Sequence, residues 1–302
     1  MRIQNGFYKT AVLLLVLLLI IACGLPNFPQ DETESADVTD EPVVTVEIPA
    51  LTPLPPTDTV TPEPSPIPFP TLTAPAFTAI DRINADNGWG LTANKAAFTV
   101  DGGVTWYDVS ISGVSDYGRA FSTFLDESHG WVLVPAADNL SGTLYRTTDR
   151  GSTWTSSAFP YYPTILQFLD TLHGYAMIGL GAGAGSMAIA VVTTSDGGAT
   201  WTEVFHNDPS RAGAGTSLPL GGIKNSITFR DLTNAWISGS MPMDGFVYLY
   251  RSTDGGVTWV QQGLPLPAGM ETAMVILDSP VFFGTANGLL YTWLMTPADN
   301  LT

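Results

Sequence analysis

One cysteine, Cys23, occurs in 302 residues, so no disulfide within the chain can stabilise a fold. Histidine occurs three times, and Lys plus Arg number 11 against 28 carboxylates, for a net charge of −17. That balance excludes the basic footprint of a nucleic-acid binder. Neither a His cluster nor a Cys pair suggests zinc. Long helical periodicity is missing. A single long apolar run, Ala11 to Ala22, has 12 residues, fewer than the roughly 20 a spanning helix needs. Gly179 to Gly185 is glycine-rich like a phosphate cradle, but no helix pattern follows it, and no Walker or dinucleotide loop occurs elsewhere. No cofactor, no metal and no catalytic set is expected.

What is present divides into three zones, 1–22, 23–75 and 76–302. The first carries Arg2 and Lys9 ahead of the apolar run, the pattern of a signal peptide. The run ends in Leu19-Ile20-Ile21-Ala22-Cys23, which resembles a bacterial lipobox. That resemblance implies cleavage behind Ala22, acylation of Cys23 and an extracytoplasmic, lipid-anchored address, with the membrane met through the lipid alone. The competing reading is an incidental thiol inside a hydrophobic leader, or an uncleaved membrane anchor.

From Gly24 to Pro75 lie 13 of the 23 prolines and nine carboxylates without one Lys or Arg. Such a segment cannot bury enough apolar surface to offset its ordering entropy, so a disordered spacer is expected. In polyproline II at about 3.1 Å per residue it would reach roughly 150 Å.

The third zone, with 19 acids against nine bases, repeats one octapeptide four times: Ser/Thr-x-Asp-x-Gly-x-Thr-Trp. The copies centre on Asp101 and Trp106, Asp149 and Trp154, Asp196 and Trp201, and Asp254 and Trp259, at Asp-to-Asp steps of 48, 47 and 58 residues. Asp followed by glycine is a tight-turn signature, and the Thr-Trp behind it restarts a strand. A second register runs beside the first, with an Asp or Asn followed after five residues by an aromatic: Asn84 and Trp89, Asp126 and Trp131, Asp170 and Tyr175, Asp231 and Trp236, Asp278 and Phe283. Each unit thus reads as four strands, A before the Asp, B from the aromatic, C into the box and D from its Trp. Four-stranded units at this period are β-propeller blades, so the fold class is an all-β propeller of about five blades. The fifth unit lacks a box. An N-terminal strand around Phe69 to Ile80 completing it, a degenerate box, and a truncated chain are the three readings, the first of them giving a closed ring.

The boxes resemble the Asp-box, or BNR, repeats of bacterial sialidases, sortilin-type receptors and some xyloglucan hydrolases. Their pairing with Asp-x-x-x-Gly-Trp most resembles the propellers similar to photosystem II assembly factors, many of them exported lipoproteins. The resemblance implies that Asp101, Asp149, Asp196 and Asp254 are structural and lie on the rim away from any substrate. Function is then expected on the face of the B–C and D–A connections, where irregular insertions fall. Tyr161, Tyr162, His206 and Arg211 are candidate contacts there for a protein or glycan. Arg82 and Arg230, with Arg119, are candidates for a carboxylate grip at the central channel, the alternative being pairing with the neighbouring Asp81 and Asp231. The leading expectation is a surface-tethered binding or assembly scaffold. A sialidase-like glycoside hydrolase is the alternative, although no carboxylate pair stands out for it.

Overall fold

Short β-branched and aromatic runs between Gly- and Asp-bearing turns fold into 20 strands. The computed structural model describes residues 69–283 and 287–296, and these contain no helix. The expected signal peptide, Cys23 and the expected linker as far as residue 68 lie outside the described residues.

The fold is a β-propeller with four complete antiparallel blades. Blade one is β1 (Phe77–Arg82), β2 (Gly88–Thr92), β3 (Ala96–Thr99) and β4 (Tyr107–Asp108). Blade two is β5 (Phe121–Phe124), β6 (Gly130–Pro135), β7 (Gly142–Thr147) and β8 (Thr155–Phe159). Blade three is β9 (Pro163–Phe168), β10 (Gly174–Gly183), β11 (Ser186–Thr194) and β12 (Thr202–His206). Blade four is β13 (Ile223–Phe229), β14 (Ala235–Ser240), β15 (Leu249–Ser252) and β16 (Val260–Gln261).

Aromatic stacks join the blades. The B-strand aromatic of each blade lies on a Phe of the next: Trp89 on Phe124 at 4.6 Å, Trp131 on Phe168 at 3.9 Å, Tyr175 on Phe229 at 4.2 Å. The first two pairs are within 8° of parallel. Each of these phenylalanines stands two residues before its turn Asp. In blades two and three it lies flat over the glycine that precedes its own blade's B-strand aromatic. A Cβ on Gly130 would meet Phe124 Cδ1 at 2.5 Å, and one on Gly174 would meet Phe168 Cδ1 at 2.7 Å.

The box turns are built alike in all four copies. The buried hydroxyl of the first residue (Thr99, Thr147, Thr194, Ser252) donates to the box carboxylate at 2.7–2.9 Å. The same oxygen accepts the amide of the fifth residue at 2.8–3.0 Å, while the Thr amide two residues later donates to the carboxylate at 2.8–2.9 Å. Two consecutive residues have positive φ in every box, for example Gly197 at 75° and Gly198 at 93°. The second of them also touches the preceding blade. A Cβ on Gly151 would meet Val109 Cβ at 2.6 Å, one on Gly198 would collide with Leu144, and one on Gly256 would meet Val191 Cγ1 at 3.5 Å.

Two expectations about the ends of the domain are corrected. The segment around Phe69 to Ile80 does not complete a fifth blade. Its first part pairs with the edge of blade one through Leu72 N to Trp106 O and Asp108 N to Pro70 O, both 2.8 Å, and its later residues are β1 itself. The fifth unit is a bent two-stranded hairpin: β17 (Met274–Leu277) pairs with β20 (Thr292–Met295), and β18 (Val281–Phe283) with β19 (Asn287–Leu289). In the other A–B turns the Asp or Asn side chain accepts the amides two and three residues on, as Asp126 does from Ser128 and His129. After Asp278 the first of those positions is Pro280, which has no N–H, so this turn cannot form.

Phe168→Ala removes a ring stacked on Trp131 and edge-on to Trp201, and should cost about 3–5 kcal/mol in urea denaturation. Asp196→Ala should cost about 1–2 kcal/mol, discounted for the solvent exposure of the turn. The Thr200 hydroxyl and amide hold the Asp196 carboxyl at about 2, below its ordinary 3.8. Its contribution is therefore complete above pH 3.8 and lost as pH falls through about 2. The gap between wild type and Asp196→Asn in denaturation midpoint should close across that window.

Candidate functional site

Box amides and A–B turns meet on one rim. Within single blades Gly102 N donates to Asp86 O at 2.8 Å, Arg150 N to Ser128 O at 3.1 Å, Gly197 N to Leu172 O at 2.8 Å and Gly255 N to Thr233 O at 2.9 Å. The B–C and D–A connections consequently share the opposite face. On the box rim the carboxylates are already occupied by their own turns, and Asp101, Asp149 and Asp254 are held below the ordinary carboxylate range by hydrogen bonds from those turns. A cleft of about 250 Å³ opens on this rim between blades three and four, lined by His173, Thr194, Thr200 and Leu232 among others. Its polar groups are engaged as well: His173 Nδ1 lies 2.9 Å from Asp170, and the Thr194 and Thr200 hydroxyls donate to Asp196.

The loop face is built differently. The longest connection, residues 207–222, follows β12 and is tied down backbone by backbone. Gly222 N donates to Gly185 O at 2.8 Å and Met187 N to Leu220 O at 3.0 Å. The Asn207 carboxamide accepts from Ile189 N at 2.8 Å and donates to Pro219 O at 3.2 Å. Lys224, 2% exposed on β13, places its ammonium among five carbonyls of Met187, Pro219, Leu220, Gly221 and Gly222 at 2.7–3.1 Å. Its Nζ also stands 5.4 Å from the Tyr248 ring. Burial pushes the ammonium down to about 8, so it remains a cation at neutral pH.

The structure brings two of the expected contacts together and separates the others. His206 and Arg211 converge on Glu203: His206 Nδ1 is 2.9 Å from Oε1, and Arg211 Nη2 is 2.9 Å from both carboxylate oxygens. The His206 side chain is 9% exposed and its Nε2 is buried without a partner, whereas Arg211 is 42% exposed. Tyr161 and Tyr162 lie on a different D–A connection, between blades two and three, edge-on to Phe159 and Phe121. Glu203 went unrecognised as the shared partner, although its spacing of three from His206 on one strand end was a signal.

The arginine grip is corrected. Arg82 and Arg230 end A strands and enter A–B turns, so both stand on the box rim. Arg82 Nε donates to Asn84 O at 2.9 Å, and Arg230 pairs with Asp231 at 3.0 Å and lies over Trp236. Arg119 is on the opposite face, where it donates to Asn139 Oδ1. The three cannot close on one carboxylate.

Among the described residues no group of three His, Cys, Asp or Glu is placed to hold a metal ion. No protein-family model matches the sequence, and no curated protein matches it. Solved structures do resemble the fold. YCF48 bound to D1 peptide is 16% identical, with 78% of this chain and 98% of that chain covered and a TM-score of 0.33. The GH74 enzyme of Niastella koreensis is 15% identical over 70% of this chain, TM-score 0.39, and an ancestral GH74 enzyme 12% identical over 74%, TM-score 0.42. This chain spans 26% and 30% of those two enzymes.

Proposed function

We propose that the protein is a surface-tethered scaffold that recognises a protein or glycan through the loop face opposite the boxes, with Tyr161, Tyr162, His206 and Arg211 among its contacts. The observation that carries this reading is the locked 207–222 connection. A solvent loop with no partner has no reason to spend a fully buried lysine and an asparagine on its own backbone carbonyls. Fixing an irregular segment in advance lowers the ordering entropy that a later binding event must overcome. The box carboxylates, hydrogen-bonded within their turns, support a structural role of the Asp-box kind. The lipobox-like sequence at Cys23 supports an extracytoplasmic position, with the proline-rich spacer between lipid and propeller.

A photo-crosslinking side chain placed at Arg211, or instead at Thr153 on the box rim, tests the reading in intact cells. Adducts are expected from the first position and not the second; equal labelling from both faces overturns it. Turnover of fluorogenic sialosides or β-glycosides by the purified chain would establish the hydrolase alternative instead. Cys23→Ser should release the protein from the membrane fraction, and continued palmitate labelling of that variant contradicts the anchor.

A further inference from the structure

On the box rim each B-strand aromatic faces one residue of its C strand: Phe98 opposite Trp89, Arg146 opposite Trp131, Thr193 opposite Tyr175 and Arg251 opposite Trp236. In blades two and four that residue lays a guanidinium over the aromatic. Arg146 Cζ stands 5.6 Å from the centre of the Trp131 ring, and Arg251 Cζ 5.4 Å from that of Trp236. Blade one has Phe98 at this position, and there the guanidinium comes from across the joint. Arg150, the fourth residue of the blade-two box, stands 4.9 Å from the Phe98 ring. Each guanidinium thus arrives from one of two positions, the C-strand residue of a blade or the fourth box residue of the next. Between blades three and four both positions are short: the first is Thr193 and the second is Gly255.

The cleft of about 250 Å³ stands at this joint, and Thr193 and Gly255 both line it. Its walls repeat those around Arg146. A Cβ on Gly197 would collide with the Arg146 guanidinium and meet Thr171 O at 3.0 Å. One on the equivalent Gly255 would meet Leu232 O, also at 3.0 Å, and nothing else inside 4 Å. Acceptors are in place too. Arg251 Nη2 donates to Asn234 Oδ1 at 2.9 Å, and the residue at that turn position in blade three is His173, which lines the cleft. His173 Nδ1 lies 2.9 Å from Asp170 Oδ2, so the ring proton goes to that carboxylate and Nε2 of the neutral ring is left as an acceptor. Ser195 adds a hydroxyl to the lining and Tyr175 an aromatic wall.

We propose that this cleft binds a guanidinium carried by a ligand, which takes the place that Arg146, Arg150 and Arg251 hold in the other blades. A planar cation can lie against an aromatic wall while its edge N–H groups reach carbonyl, hydroxyl and imidazole acceptors. A compact, strongly hydrated ammonium cannot do both at once. Charge favours a cation as well, because the chain carries 28 carboxylates against 11 Lys and Arg. The source is either a small free guanidinium compound or an arginine side chain of a protein partner. The cleft lies on the box rim, at a different joint from the blade-two box that carries Thr153, so this site is independent of what the loop face recognises.

Methyl NMR of the purified full chain in detergent, read at Leu232 on the cleft wall during titration with ethylguanidinium, tests this. The Leu232 shifts should saturate with a dissociation constant in the millimolar range, as suits one small cation, and ethylammonium should bind at least about tenfold more weakly. Thr193→Arg fills the cleft from blade three as Arg146 fills its own joint. Gly255→Arg fills it from blade four as Arg150 does, at a φ of 74° against 62° for Arg150. Each variant should keep at least the wild-type melting temperature and lose the Leu232 response. A wild-type signal unmoved at about 50 mM ethylguanidinium overturns the proposal, as does an equal response to ethylammonium. A response that survives in either variant overturns it too. Acetyl-Gly-Arg-Gly-amide separates the sources. Binding at least about tenfold tighter than that of ethylguanidinium assigns an arginine on a partner chain, and equal or weaker binding assigns a small compound.

Discussion

Trp131 and Phe168 lie 3.9 Å apart and 6° from parallel, and the rest of the propeller is arranged around contacts of this kind. Blades one to four form separate sheets, so at their joints side chains set the distance between them. Flat aromatic pairs bury much area in a thin layer and tolerate little displacement. The glycine beneath Phe124 and Phe168 is a consequence. Gly130 and Gly174 leave room for a ring to lie across the strand, and any Cβ there would lift it out of the stack. The second box glycine obeys the same constraint on the same rim, where Gly151 and Gly198 admit Val109 and Leu144 of the preceding blade. Both glycine positions serve the joints as much as the turns.

The boxes hold the joints in place and are chemically quiet for the same reason. A carboxylate that accepts a buried hydroxyl and a backbone amide is a fixed part of the turn, and its lowered pKa reports the hydrogen bonds that hold it. One rim is thereby made regular, blade after blade, and the irregular connections are left to the other.

Much of this was legible in the sequence because it is local. Asp, Gly and Thr within eight residues define a turn whatever lies around them, and the aromatic five residues after an Asp or Asn marks a B strand. The buried hydroxyl that opens each box was less visible, since its role depends on which side chain the strand end turns inward. The ends of the domain were misread for a physical reason. The five-residue spacing from Asp278 to Phe283 matched the other turns, but Pro280 removed the amide that the turn requires. The arginines show the limit of strand-level reading: being near an A strand does not decide which end of it a residue occupies, and that end separates Arg82 and Arg230 from Arg119. His206 and Arg211 meet only because residues 207–222 fold back on β12, a path that no spacing rule announces.

Lys224 sits in an alternating strand, where a lysine ordinarily reads as a solvent-facing position, and is among the most buried side chains of the domain. Its burial is intelligible from the backbone it serves. A connection of 16 residues turns its carbonyls inward at Pro219, Leu220, Gly221 and Gly222, and of these β11 answers Leu220 through Met187 N. A hydroxyl or an amide could answer one or two of them. An ammonium offers three protons and a full charge to a ring of dipoles, and its own desolvation is offset by the oxygens that needed donors. The loop is therefore fixed from beneath, and at its edge Arg211, partly exposed, is held by the Glu203 carboxylate.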